Sequence, residues 1–319
     1  MKTLPISRSD ILAAHQRIQS HIHRTPLLTS EILDDLSGAR LHFKCENFQK
    51  AGAFKARGAF HVMSLLTAKQ RSRGVITHSS GNHGQALAKA AGIAGVDATI
   101  VMPSNSPQVK IAAVKHYGAN IILCEPTQEA REETCAIEMA RTGAHLVPPY
   151  DDYRIISGQA TCAKEVIEDQ PDMDVLIAPV GGGGLLAGSG LAAHWFSDSM
   201  QVIGAEPVLA DDTARSFRSG IYSPRYSRET VADGVRVGVG KLTFPIIQQC
   251  CTDVLTATED QIVHAMQLIW ERLKIIVETS CALPLAVVLA NPDRFKDKRI
   301  ALILTGGNVD LTLLPFTMT

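Results

Sequence analysis

Between Gly74 and Val147 the chain alternates short apolar runs with helical ones, and this alternation narrows the fold more than any other feature of the sequence. Gly74-Val75-Ile76-Thr77, Ala98-Thr99-Ile100-Val101-Met102, Asn120-Ile121-Ile122-Leu123-Cys124 and Ala144-His145-Leu146-Val147 read as strands, with helices expected over 85–91, 109–117 and 128–141. Successive strand–helix–strand units require crossovers, which makes the strands parallel and covers the sheet with helices. The pattern resumes after Pro149. A helix over 156–167, a buried strand over 175–180, a small-residue helix over 185–196 and a strand over 201–206 are expected, followed by helices over 260–273 and 282–290 and a strand over 299–304. The expected fold class is α/β, with two open, mostly parallel sheets flanked by helices. Sequence order predicts a small domain at 74–151 inserted into a large domain built from 1–73 and 152–319.

A chain of 319 residues accommodates one large or two modest domains, and 45% hydrophobic residues suffice for a sizeable core. Lys+Arg total 31 against Asp+Glu 32, for a formal net charge of -1, which argues against an electrostatic footprint for nucleic acid. No uninterrupted apolar run reaches membrane-spanning length, and the start lacks the apolar core of a signal peptide. Seven scattered cysteines without a CxxC pair argue against a disulfide framework, so a reducing, cytoplasmic setting is expected.

Three stretches carry chemistry. In Cys45-Glu46-Asn47-Phe48-Gln49-Lys50-Ala51-Gly52-Ala53-Phe54-Lys55, a strand over 41–45 runs through a polar turn into a small-residue helix that begins near Ala53. Lys55 falls in its first turn, where the positive helix end lowers an amine pKa. A partly neutral amine can attack a carbonyl, although the stretch alone fits a solvated surface lysine as well. Gly181-Gly182-Gly183-Gly184 follows a strand and precedes a helix, an arrangement that lets backbone N–H groups converge on a phosphate. It matches neither common nucleotide-loop pattern, and alone it also fits a tight structural turn. Thr77-His78-Ser79-Ser80-Gly81-Asn82-His83-Gly84 is a third strand-to-helix turn, rich in hydroxyls that can cap a helix or collect an anion.

Together these stretches resemble the serine/threonine dehydratase and serine racemase family, within the fold-type II, tryptophan-synthase-β-like enzymes that use pyridoxal 5′-phosphate. The resemblance runs from Arg24-Thr25-Pro26-Leu27 to Gly306-Gly307-Asn308-Val309-Asp310. It implies that Lys55 binds C4′ of the cofactor, is released by substrate, and acts as a base at Cα. It implies that Phe54 lies beside the ring, that Asn82 bonds the ring O3′, and that Gly181, Gly182, Gly183 and Gly184 hold the phosphate. Glu278 is implied near the ring, and Thr305 presents a hydroxyl to the pyridine nitrogen. A hydroxyl holds that nitrogen protonated less well than a carboxylate would, which favours expulsion of a β-substituent.

The same resemblance implies that Ser79, Ser80, Gly81, Asn82 and His83 receive the substrate carboxylate, with Ser80 as a second acid–base group in the racemase branch. Arg131 resembles an arginine on the substrate side of that branch. It could grip a second carboxylate, as in 3-hydroxyaspartate, or pair with Glu132 or Glu138 on its own helix. Glu206, the Ala210 carbonyl and Asp212 resemble an oxygen-only site for Mg²⁺ or Ca²⁺. The segment Glu278-Thr279-Ser280-Cys281-Ala282 departs from the usual Glu-Pro-Ser or Glu-Pro-Thr, and Tyr150 stands where relatives often carry Phe or Asn. The implied reaction is elimination from L-serine or L-threonine to a 2-oxo acid and ammonia, with serine racemisation sharing its first step. A dedicated serine racemase and a 3-hydroxyaspartate dehydratase are the alternatives, and an amino-acid-binding sensor is the non-enzymatic one. The expected partner is a small amino-acid substrate, with no nucleic acid or membrane, and the expected assembly is a homodimer.

Overall fold

The structure is a computed structural model that describes residues 3–79, 81–225, 227, 229–312 and 314–315, the Val109 side chain excepted. Ten strands are present among these residues: β1 (Leu27–Leu28), β2 (Arg40–Cys45), β3 (Val75–Thr77), β4 (Ala98–Pro103), β5 (Asn120–Cys124), β6 (His145–Leu146), β7 (Val175–Pro179), β8 (Gln201–Pro207), β9 (Asp253–Ala257) and β10 (Arg299–Leu304). They form a six-stranded sheet in the order β1-β2-β10-β7-β8-β9 and a four-stranded sheet in the order β5-β4-β3-β6. Every pairing is parallel except β1 with β2.

The central strands β7 and β10 read as unbroken apolar runs because both of their faces are covered. Alternate side chains serve opposite layers, as the two-residue period of a strand demands. Val175, Ile177, Ile300, Leu302 and Leu304 enter the core on one face, while Leu176, Ala178, Ala301 and Ile303 enter the core on the other. In the smaller sheet Ile100 and Met102 face one layer and Ile76 and Val101 the opposite one. The first of those layers also recruits Ile18, Phe60, Val62 and Met63 from the N-terminal part of the chain. The two sheets are therefore joined through the helix Lys55–Ser64, which carries Phe60, Val62 and Met63.

That helix meets Tyr153–Asp169 at unusually short range. A Cβ added to Gly158 would lie 2.7 Å from the Gly58 Cα, so Gly158 tolerates no side chain without separating the helices. Beside this crossing lies a buried charge cluster. Arg57 donates from Nε to Glu46 Oε2 at 2.8 Å and from Nη1 to Glu165 Oε1 at 2.8 Å, and Lys44 Nζ donates to Glu165 Oε2 at 2.7 Å. Two cations balance two carboxylates. Burial works to raise the Glu165 pKa, but Arg57 and Lys44 hold it down to about 2. The cluster ties β2, the turn after it and two helices together immediately before and after Lys55.

Some elements differ from those expected. The helix starts at Lys55 rather than near Ala53, because Ala51 and Gly52 have positive φ and Ala53 is extended, forming a bridge with Gly306. The helix that follows Glu259 includes that residue and ends in a π-helical turn at Ile269–Leu273. β9 and the helix Thr243–Cys250 fall where no element was expected. β9 is an edge strand with only Val254 and Ala257 buried, so it lacks a strong alternation. All seven cysteines are free, and no helix among the described residues is long and apolar enough to cross a membrane.

Candidate active site

Lys55 is brought to the loop after β10 by backbone pairing. Phe54 N–H donates to the Thr305 carbonyl at 3.0 Å and Gly307 N–H donates to the Gly52 carbonyl at 2.9 Å. The turn before Lys55 is held further by Asn308, whose Nδ2 donates to the Ala51 carbonyl at 2.8 Å. Ala51 itself sits at φ 57, a left-handed conformation that costs a non-glycine residue energy and is maintained by these bonds.

Lys55 Nζ donates to the Pro149 carbonyl at 2.7 Å and lies 5.0 Å from the centre of the Phe54 ring. The residue is partly open by surface area, yet its amine is surrounded by protein. That loss of solvent lowers its pKa to about 8, with Glu278 pulling in the opposite direction. Glu278 is buried, and its pKa is raised by burial first and by Asp233 second.

Asn82 opens the helix Asn82–Ala94 and donates from Nδ2 to Glu278 Oε1 and Oε2 at 2.9 and 3.0 Å. Its Oδ1 accepts from Asn308 Nδ2 at 2.9 Å, which fixes the orientation of the amide. The next residue, His83, lies 3.0 Å from the Val147 carbonyl through Nε2. A carbonyl only accepts, so Nε2 carries the proton and Nδ1 is bare; Nδ1 has no hydrogen-bond partner among the described residues. Burial and then the Lys55 charge depress the His83 pKa to about 3, so the ring is neutral at working pH.

The glycine run connects β7 to the helix Gly184–Phe196. A Cβ on Gly182 would fall 2.2 Å from the Tyr150 ring. Tyr150 thus occupies the space that a side chain would need, and only glycine allows both. Among the described residues none of the N–H groups of Gly181 to Gly184 donates to a protein acceptor. Free donors at a positive helix end suit a phosphate, so the cradle fits that part of the cofactor.

The structure groups Phe54, Lys55, Asn82, Glu278 and Thr305 through the contacts above. Ser79, Gly81 and His83 lie on the turn and first residues of the helix that carries Asn82, while Ser80 lies outside the described residues. Arg131 is turned onto its own helix: Nη2 donates to Gln128 Oε1 and Nε to the Thr127 carbonyl at 3.4 Å. The His78 imidazole, one residue before Ser79, has its pKa lowered by burial first, with the Glu132 charge opposing and the smaller Arg131 charge adding to that fall.

Glu206 ends near the first turn of the helix Asp212–Ser219, accepting from Thr213 N–H at 3.2 Å and Ala214 N–H at 2.8 Å. Asp212 accepts from Val239 N–H at 2.8 Å. Burial raises both carboxyls, Asp212 to about 6, and the Asp212 charge raises Glu206 further. Among the described residues no three His, Cys, Asp or Glu side chains converge on one point as metal ligands. A cation here would rely on two carboxylates and the Ala210 carbonyl. A buried Glu206 carboxyl pushed up by desolvation and by the Asp212 charge fits such an ion.

Sequence reasoning passed over Asn308, Pro149 and the Arg57 cluster. Asn308 stands inside the Gly306-Gly307-Asn308 run, and Glu46 and Arg57 flank the Lys55 stretch, but nothing in their spacing reveals that they meet.

Residues 18–306 match the family described as pyridoxal-phosphate dependent enzyme. The chain is 47% identical to the beta-hydroxyaspartate dehydratase of Paracoccus denitrificans, over 96% of this chain and 98% of that protein. It is similar to the solved serine racemase of Dictyostelium discoideum, with TM-score 0.91, 44% identity and coverage of 96% and 99% of the two chains. The solved serine racemase of maize aligns with TM-score 0.94 and 42% identity over 98% of this chain and 97% of that one. Likeness of this extent in sequence and in three dimensions leaves one conclusion about kinship: the chain belongs to the pyridoxal-phosphate-dependent enzymes of fold type II.

Proposed function

We propose that this enzyme eliminates water from L-serine or L-threonine. The Cα proton and the β-hydroxyl leave as water, and hydrolysis of the released enamine gives a 2-oxo acid and ammonia. The observation that carries this reading is the Lys55 amine, with pKa about 8, held against the Pro149 carbonyl. An amine of that pKa can accept the Cα proton near neutral pH and return it. Pyridoxal phosphate, when bound, supplies the electron sink that makes the proton removable.

In this reading the N–H groups of Gly181 to Gly184 hold the phosphate, Phe54 lies along the ring, Asn82 meets O3′, and the Thr305 hydroxyl faces the ring nitrogen. The turn from Ser79 to His83 receives the substrate carboxylate. Glu206, Asp212 and the Ala210 carbonyl bind Mg²⁺ or Ca²⁺, which neutralises two buried acids and stiffens the start of the helix Asp212–Ser219. Serine racemisation would need a second acid–base group opposite Lys55. The resemblance gives that role to Ser80, whose hydroxyl would need activation by the surrounding pocket.

Elimination from 3-hydroxyaspartate is a second reading. It is favoured by the 47% identity to a beta-hydroxyaspartate dehydratase. Steady-state 2-oxo acid release from L-serine, L-threonine and 3-hydroxyaspartate tests the choice. Higher kcat/KM for the hydroxy monocarboxylates supports the first reading. A preference for 3-hydroxyaspartate that Arg131→Ala abolishes replaces it with the second.

A further inference from the structure

Cys281 is wholly buried in the short turn Thr279–Ala282, within the segment that departs from the usual Glu-Pro-Ser pattern. Its sulfur meets the loop after β10 at three points. The S–H donates to the Gly306 carbonyl at 2.7 Å, Gly306 N–H donates to Sγ at 2.9 Å, and Sγ lies 3.2 Å from Thr305 Oγ1. Burial pushes the thiol pKa up, so the sulfur keeps its proton.

The placement of protons follows from these contacts. With its own proton on the Gly306 carbonyl, the thiol can only accept from Thr305, and sulfur is a weak acceptor. The Thr305 oxygen is thus seated by a neighbour that competes poorly for the hydroxyl proton. A ring nitrogen, when present, is a far stronger acceptor and receives the hydroxyl's hydrogen bond. Serine at position 281 would offer a full-strength oxygen partner and contest the proton. Alanine would leave the hydroxyl unsupported on that side.

We propose that Cys281 is a positioning residue for the ring end of the cofactor: it seats the Thr305 hydroxyl while leaving its hydrogen bond free for the ring nitrogen. The proposal rests on the reading that Thr305 faces that nitrogen. Its consequence is a ring nitrogen that accepts a hydrogen bond without being protonated, which weakens the electron sink and favours expulsion of a β-hydroxyl.

The test is the nitrogen-15 resonance of ring-labelled pyridoxal phosphate in reconstituted wild type, Cys281→Ala, Cys281→Ser, Thr305→Val and the Cys281→Ala/Thr305→Val pair. It is read beside the cofactor dissociation constant from titration of the apoenzyme. Wild type should show an unprotonated, hydrogen-bonded nitrogen. Both Cys281 variants should move the resonance toward that of Thr305→Val, and the pair should move it no further. Cys281→Ala should weaken cofactor binding by about two- to tenfold, the weight of one hydrogen bond. Wild-type resonance in both Cys281 variants, with a shift in Thr305→Val, overturns the role of Cys281 and leaves Thr305 at the nitrogen. A lower melting temperature without a change in resonance marks a packing role only and overturns it equally. An unmoved resonance in Thr305→Val shows that Thr305 does not touch the ring, and both readings fall.

Discussion

Phe54 and Thr305 are joined by a backbone hydrogen bond of 3.0 Å from the Phe54 N–H to the Thr305 carbonyl. This bond sets the residue that caps the Lys55 helix against the end of β10, so the amine and the Thr305 hydroxyl belong to one rigid junction. Asn308 reinforces it from the other side by holding both Ala51 and Asn82.

The amine should titrate accordingly. A lysine whose pKa is lowered to about 8 is protonated and unreactive below that pH and nucleophilic above it. The rate of pyridoxal phosphate capture by apoenzyme should therefore rise with pH through a midpoint near 8. A rise that continues to the ordinary lysine range, about 10.4, would show an undisturbed amine.

Removing Arg57 should be costly. It would leave Glu46 and Glu165 buried with Lys44 as their remaining cation. Breaking a buried pair in this way destabilises by about 3–5 kcal/mol. Urea denaturation of Arg57→Met should show a loss of that size. A loss below about 1 kcal/mol, the range of surface pairs, would mean that the cluster is replaceable.

Much of the fold was legible in the sequence because β7 and β10 are continuous apolar runs and the stretch from Val75 to Leu146 alternates strand and helix regularly. β1 and β9 escaped because a two-residue strand and a half-exposed edge strand leave little periodicity. In the candidate site, Lys55, the glycine run and the turn carrying Asn82 announce themselves by residue type next to an expected element. Asn308 and Pro149 do not, because one acts through its amide and the other through a backbone carbonyl, and both contacts span distant parts of the chain. The Cys281 contacts with Thr305 and Gly306 likewise depend on tertiary placement alone.

Divalent ions should stabilise the chain through Glu206 and Asp212. An ion bound only by the folded form raises stability by mass action. Melting curves with Mg²⁺, with Ca²⁺ and with chelator should separate for wild type and coincide for Asp212→Ala. Equal chelator sensitivity in both would count against an ion at this place.

Ser80→Ala should reduce serine racemisation more than L-serine elimination, because Lys55 alone can take the L-enantiomer's proton. The ratio of the two rates, at matched cofactor occupancy, is the informative quantity. An equal fall in both would assign Ser80 to substrate positioning.

The central claim is that Lys55 carries the cofactor and drives elimination. Holoenzyme should be reduced with borohydride and its labelled peptide mapped, while 2-oxo acid release from L-serine is followed in wild type and Lys55→Ala. The account predicts label on Lys55 and turnover that disappears in the variant. Label on another lysine, or full turnover by Lys55→Ala, would contradict it.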